Sequence, residues 1–140
     1  ISEDELRGYL LVAKVDFIAP HRPRLPKSPS QTRDKTRAYL AAMEKIGRVV
    51  PVHYQEPFRR NFNPRRFQPR VEDFLTDARG ALEGGAAGWC LHIGDNRAAQ
   101  DRRPRKDFDM RPQEGNFFEQ IDDVEREVIR RTAKELGLVK

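Results

Sequence analysis

The sequence predicts an α/β protein in which three parallel strands alternate with helices. Segments with apolar residues at helical spacing alternate with short runs that are almost continuously apolar, at about 15–20, 49–56 and 87–93. Such runs are typical of parallel strands, because helices cover both of their faces. The loops that follow these runs are long and polar, whereas the turns that precede the second and third runs are very short.

The helices between these strands carry recognisable start and stop signals. Ser2 begins a capping-box sequence, Gly47 is expected to end the second helix, and a glycine pair at 84–85 is expected to end the third. The final helix is expected at about 116–137, with Asn116 as its cap. Strands joined through helices in this order imply right-handed crossovers and a parallel sheet.

The strand count suggests a piece of a larger fold. Three parallel strands leave two unpaired edges, which makes a poor isolated domain. Long loops after strands and short turns before them are typical of barrel and doubly wound enzymes. The chain has 140 residues and begins with Ile1. We therefore expect residues 1–140 to be the C-terminal part of a (β/α)8 TIM barrel, with the missing N-terminal part of the barrel as its partner.

Composition narrows the classes of protein further. Apolar residues make up 37% and charged residues 35%, which is low in apolar content for a self-contained globule but not typical of disorder. The longest apolar runs are too short to span a membrane, so we expect no membrane partner. Cys90 is the single cysteine, which excludes an internal disulfide. Three histidines and one cysteine show no paired spacing, so we expect no metal and no cofactor.

The arginines raise the question of nucleic acid. The formal net charge is +5, and arginines cluster within 59–70 and 97–105. Such clusters can neutralise phosphates. However, acidic residues are spread along the chain and no nucleic-acid-binding motif is present, so the clusters are interpreted as solvated loop surface. A basic nucleic-acid-binding α/β module is kept as an alternative.

Glu56 is the candidate catalytic residue. It ends the second expected strand, because Pro57 favours extended geometry before it and cannot donate to a ladder. The chemistry of α/β proteins lies at the carboxyl ends of strands, and His21 and His92 end the other two. Arg59 and Arg60 follow closely and would favour the ionised carboxylate if they fold back. The alternative is a surface glutamate paired with a neighbouring arginine.

Further side chains are expected to line the same site. Tyr54 shares a strand face with Glu56 if alternation is regular, and Asp95 follows the third strand, where it could bind a hydroxyl group. If the faces are reversed, His53 is the site residue instead. The expected substrate-binding residues are His21, Tyr54, His92, Arg59 and Asp95.

Three short runs carry a family resemblance. Asp16–His21, Pro51–Pro57 and Gly88–His92 resemble strands six, seven and eight of clan A glycoside hydrolases, the cellulase-like TIM barrels. The resemblance implies that Glu56 is the nucleophile of a retaining mechanism on a carbohydrate substrate. It also implies that the acid/base lies on a fourth strand outside this chain, which would be inactive alone.

The eighth strand departs from the pattern of the clan. That strand usually carries a tryptophan near its end, under the sugar ring. Here Trp89 comes early and His92 takes the end position, so alternation directs Trp89 to the core. A catalytically silent carbohydrate-binding barrel is therefore the other open alternative.

Overall fold

The computed structural model of the protein describes residues 1–93 and 117–139. Within these ranges the chain is mostly helical, and its one sheet is a parallel pair of very short strands. The elements in chain order are α1 (Glu3–Arg7), a π-helical turn (Gly8–Val12), a 3-10 turn (Pro29–Gln31), α2 (Thr32–Ile46), β1 (His53–Tyr54), α3 (Val71–Gly84), β2 (Gly88–Trp89), α4 (Phe117–Gln120) and α5 (Asp123–Glu135).

The expected fold class is therefore wrong. A C-terminal TIM-barrel portion would have three parallel strands alternating with helices, whereas the described residues form two strands of two residues each in a mainly helical protein. The segments expected at 49–56 and 87–93 contain these two strands, and the segment at 15–20 contains none.

The segment 15–20 makes one bridge instead of a strand. The Ile18 N–H donates to the Pro51 carbonyl, and the His53 N–H donates to the Ile18 carbonyl, both at 2.9 Å. At the start of the segment, the Val15 N–H donates back to the preceding helical turn at 3.1 Å. At the end of the segment, Pro20 has no N–H and cannot donate a hydrogen bond to a neighbouring strand. The sheet pairing therefore stops after a single residue.

Prolines also limit the length of β1. Pro51 and Pro57 stand on either side of it and cannot donate to a ladder. Two further bonds flank the β1–β2 pair, from Ala87 N to Val52 O and from Cys90 N to Tyr54 O, each 2.8 Å. The longer apolar runs of the sequence thus reflect burial of side chains, and not the extent of hydrogen-bonded strand.

Helix α3 is central, since it packs against both α2 and α5. Gly80 and Gly84 on α3 let α2 approach closely. A Cβ atom at Gly84 would lie 2.7 Å from the Thr36 Cβ and 2.8 Å from the Arg33 carbonyl oxygen. No side chain larger than hydrogen fits there without movement of the α2 backbone.

Two hydrophobic clusters form the core around these helices. The first joins α1, the π-helical turn, α2, the bridge segment, the β1 region and α3, and its buried members are Leu6, Leu10, Ile18, Met43, Val50, Val52, Tyr54 and Ala81. The second joins α3, α5 and the segment after β1, and its buried members are Phe58, Phe74 and Val128. Trp89 packs against both clusters.

The C-terminal region, expected as one helix at about 116–137, consists of two helices. Helix α4 ends at Gln120, and Asp122 is extended and caps α5. The Asp122 side chain accepts from the Glu125 N–H, and the Glu125 side chain accepts from the Asp122 N–H, both at 2.9 Å. This reciprocal capping box is a strong start signal, so the helix begins anew here.

Candidate functional site

Three loops bring five side chains together. We call this group the Glu56 cluster: Arg24, Glu56, Arg59, Phe62 and His92. Arg24 lies in the loop after the bridge segment, the next three follow β1, and His92 follows β2. Because the bridge segment, β1 and β2 run parallel, the loops that follow them lie at one end of the small sheet.

Glu56 is accessible at the centre of this cluster. Its Oε2 atom lies 3.3 Å from Nη2 of Arg24 and 4.0 Å from Nδ1 of His92. The glutamate side chain is 40% exposed, so a ligand can reach the carboxylate from solvent. The contact with Arg24 orients the carboxylate through one nitrogen and one oxygen only.

Phe62 supports both arginines of the cluster. The guanidinium carbon of Arg24 lies 4.4 Å from the centroid of the Phe62 ring, and that of Arg59 lies 4.9 Å from the same centroid. Stacking of a guanidinium on an aromatic face is electrostatically favourable and restricts the orientation of the flat group. The positive charges are therefore held in place before any ligand arrives.

The tautomer of His92 follows from its contact with Arg59. Nη1 of Arg59 lies 2.9 Å from Nε2 of His92. A guanidinium only donates hydrogen bonds, so Nε2 must offer its lone pair and the proton of the neutral ring is assigned to Nδ1. That Nδ1 is buried and has no hydrogen-bond partner among the described residues. Its N–H therefore faces the Glu56 carboxylate across a 4.0 Å gap.

Electrostatics favour the same neutral imidazole. Burial lowers the pKa of His92, and the positive charge of Arg59 lowers it further, while the charge of Glu56 acts in the opposite sense. Arg24 and His21 add smaller contributions that also lower it. His92 is thus a hydrogen-bond donor through Nδ1 and not a general acid near neutral pH.

The other predicted site residues have different surroundings. His21 is exposed, and its charge acts on His92. Tyr54 is 1% exposed and faces α2, where its hydroxyl group lies 2.9 Å from Oγ1 of Thr36. Asp95 lies outside the described residues.

Since Tyr54 faces the helices, its neighbour His53 lies on the other face of β1. The His53 ring packs edge to face against Phe17, with 6.3 Å between the ring centroids. This is the reverse of the alternation expected from the sequence, which placed Tyr54 beside Glu56.

Sequence reasoning missed two members of the Glu56 cluster. Arg24 lies in a basic, proline-rich loop without a recognisable motif, and Phe62 lies between arginines of another loop. Arg60, expected as a possible partner of Glu56, instead donates to Asp122 and to the Pro69 carbonyl, both at 2.6 Å. The sequence signal that could have identified these two residues is their position, since Arg24 and Phe62 both lie in loops that follow strand-like runs.

A buried network anchors the loop that carries Arg24. Asp77 on α3 accepts a hydrogen bond from Nε1 of Trp89 at 2.7 Å, another from the Thr32 hydroxyl, and one from Arg22 at 3.2 Å. Burial raises the pKa of Asp77, while these bonds and the charge of Arg22 oppose that shift. Arg22 thus fixes the loop two residues before Arg24.

Within residues 1–93 and 117–139, no group of three or more His, Cys, Asp or Glu side chains is arranged to hold a metal ion. No helix in those ranges combines the length and apolar character needed to cross a bilayer.

Comparisons with known proteins identify no relative. No family model matches the sequence, and no curated protein and no solved structure gives a significant match. The resemblance to clan A glycoside hydrolases therefore stays a prediction from short motifs.

Proposed function

We propose that the Glu56 cluster binds a carbohydrate, and that Glu56 is the nucleophile of a retaining glycosidase whose acid/base residue lies outside this chain. The observation that carries the proposal is the exposed Glu56 carboxylate, oriented by Arg24 and faced by the Nδ1–H of His92. A carboxylate with one oxygen held and one face open can approach an anomeric carbon.

The neighbouring groups suit a polyhydroxylated ligand. Sugar hydroxyl groups both donate and accept, so they need acceptors such as Glu56 and donors such as Arg24 in one place. The Nδ1–H of His92 is buried and faces Glu56, so a neutral His92 lies beside the carboxylate without adding charge. These groups also support the alternative function, a carbohydrate-binding protein without catalysis, in which Glu56 only accepts hydrogen bonds.

Retaining hydrolysis needs two carboxyl groups about 5 Å apart, one as nucleophile and one as acid/base. With the acid/base supplied by another part of the protein, the chain alone is expected to bind sugars without turning over ordinary glycosides. The nucleophilic step can still be tested, because a leaving group that departs as a stable anion needs no proton.

The test uses 2,4-dinitrophenyl 2-deoxy-2-fluoroglycosides of several common sugars in both anomeric forms. The Glu56 carboxylate oxygen forms a bond to C1 as the bond from C1 to the aryl oxygen breaks, and dinitrophenolate leaves with the electron pair. The fluorine slows hydrolysis of the ester, so the adduct accumulates. We expect the intact mass to rise by one fluoroglycosyl group, and peptide mapping to place it on Glu56.

Two variants make the result decisive. Glu56→Gln should lose the adduct, whereas Glu44→Gln, which changes an exposed carboxylate on α2, should keep it. Labelling at another residue, or equal labelling of both variants, would overturn the nucleophile role. Sugar binding measured by calorimetry without any adduct would instead favour the catalytically silent alternative, and neither binding nor adduct would exclude both.

A further inference from the structure

We infer that the ligand of the Glu56 cluster is an acidic sugar, and that its carboxylate binds Arg24. This inference rests on the proposed carbohydrate function and names the class of sugar. Many oxyanions can bind a guanidinium group, and the oxyanion proposed here is the carboxylate of a uronic acid.

The first argument is the unused donor capacity of Arg24. A guanidinium carries five N–H donors, yet the one hydrogen bond of Arg24 within the described residues runs from Nη2 to Glu56 at 3.3 Å. Its Nε is buried and has no hydrogen-bond partner there, so the donors open to a ligand are those of the Nη atoms. The side chain is 22% exposed, so part of it is open to a ligand from solvent. One monodentate carboxylate does not satisfy such a group.

The second argument is that Arg24 is already held in place. The Phe62 ring lies 4.4 Å below its guanidinium carbon, and the buried Arg22 fixes the same loop through Asp77. A donor that is fixed before binding loses little entropy when the ligand arrives. An oxyanion gains most from such a site, because planar guanidinium and carboxylate groups match in bidentate geometry.

The third argument is the balance of donors and acceptors. Among the described residues, Glu56 is the carboxylate that pairs with Arg24, and it occupies one of the guanidinium donors. A ligand that brings acceptor oxygens and negative charge corrects this excess of donors. The Glu56 carboxylate repels the same charge, so the acid group is expected on the Arg24 side and the sugar carbons on the Glu56 side.

The experiment measures binding by calorimetry with the full 140-residue chain. The probes are methyl glucuronide and methyl galacturonide, each compared with the corresponding neutral methyl glycoside, and sodium sulfate and sodium phosphate without a sugar. We expect a uronide to bind at least about tenfold more tightly than its neutral counterpart, because it adds a charge-assisted hydrogen bond. The preference should weaken as the salt concentration rises.

Variants connect the preference to Arg24. Arg24→Gln should remove it, and Arg24→Lys, which keeps the charge without the planar fork, should keep a smaller part of it. Arg37→Gln is the matched control, because Arg37 is exposed and donates to the Glu83 carbonyl away from the cluster. Circular dichroism and thermal unfolding of each variant establish that it is folded, and Arg24→Lys carries the test if Arg24→Gln does not fold.

The outcomes separate this inference from the function on which it rests. Equal binding of uronides and neutral glycosides overturns the acidic-sugar inference and leaves carbohydrate binding intact. Binding of sulfate or phosphate as tight as that of the uronides, with nothing gained from the sugar, overturns the carbohydrate function and the uronic acid with it. A preference that persists in Arg24→Gln overturns the assignment to Arg24.

Discussion

Nη1 of Arg59 lies 2.9 Å from Nε2 of His92, and this contact determines what the imidazole can do. The arginine cannot accept a hydrogen bond, so the ring directs a lone pair towards Arg59 and an N–H towards Glu56. A histidine at the end of a strand-like run could have been a base, an acid or a ligand for a metal. Its neighbour makes it a neutral donor.

The first prediction concerns pH. The pKa of His92 is lowered in the folded protein from its ordinary value of 6.5. The unfolded chain therefore binds more protons between these two pKa values, and the stabilising effect of neutral His92 is lost as the pH falls through that interval. We expect the free energy of unfolding to decline below pH 6.5, and His92→Gln to reduce the decline. Urea unfolding at a series of pH values measures both.

Other groups also change the free energy of unfolding in this pH interval, so the contribution of His92 is obtained as the difference between the wild-type and variant curves. The difference between the wild-type and His92→Gln curves should be constant above pH 6.5 and should fall as the pH drops through that interval. Parallel curves throughout would contradict the lowered pKa.

The second prediction concerns the origin of that shift. Removing the Arg59 charge should raise the pKa of His92 part of the way towards 6.5, because burial, the larger cause, remains. NMR titration of the His92 ring in Arg59→Gln measures the change. Arg65→Gln is the control, because Arg65 is an exposed arginine of the same loop. An unchanged His92 titration in Arg59→Gln would show that Arg59 does not contribute.

The start of α1 and the ends of α2 and α3 are the helix boundaries that the sequence predicts well. Gly47 and Gly85 have φ values of 87° and 92° and end α2 and α3 as expected. Ser2 and Glu5 form the expected capping box. These signals are local, since they depend on left-handed backbone or on hydrogen bonds three residues apart, and tertiary contacts seldom change them.

The strands and the site could not be predicted in the same way. Whether an apolar run becomes a strand depends on partners, and prolines at 51 and 57 leave β1 with few of them. The face of Tyr54 depends on its hydroxyl group finding Thr36, 18 residues away in the sequence. Arg24 reaches Glu56 across 32 residues, and no local pattern encodes that contact. Glu56 and His92 were predicted because their positions in loops after strand-like runs are visible in the sequence.

The third prediction concerns the close contact of α2 and α3. We expect Gly84→Ala to lower the free energy of unfolding by about 1–3 kcal/mol, because the new Cβ would overlap the Arg33 carbonyl and the Thr36 side chain. That cost exceeds the gain of about 1 kcal/mol that alanine brings within a helix. Gly8→Ala is the matched control, since a Cβ there meets nothing within 4 Å and should be neutral or stabilising. Equal urea midpoints for the two variants would contradict the packing argument.

The last prediction concerns the buried Asp77. Asp77→Ala leaves the buried Arg22 guanidinium without its carboxylate and the half-buried Trp89 without the acceptor of its N–H. Removing one partner of a buried ion pair typically costs about 3–5 kcal/mol, since the remaining charge stays desolvated. We therefore expect a loss of stability of that order in urea unfolding.

Asp123→Ala is the comparison, because Asp123 pairs with Arg126 on the exposed surface of α5 and its loss should cost only a small fraction as much. The Asp77 network also holds the loop of Arg24, so Asp77→Ala should weaken sugar binding even where the variant is still folded, whereas Asp123→Ala should not. Unchanged affinity in folded Asp77→Ala would mean that Phe62 alone is enough to position Arg24.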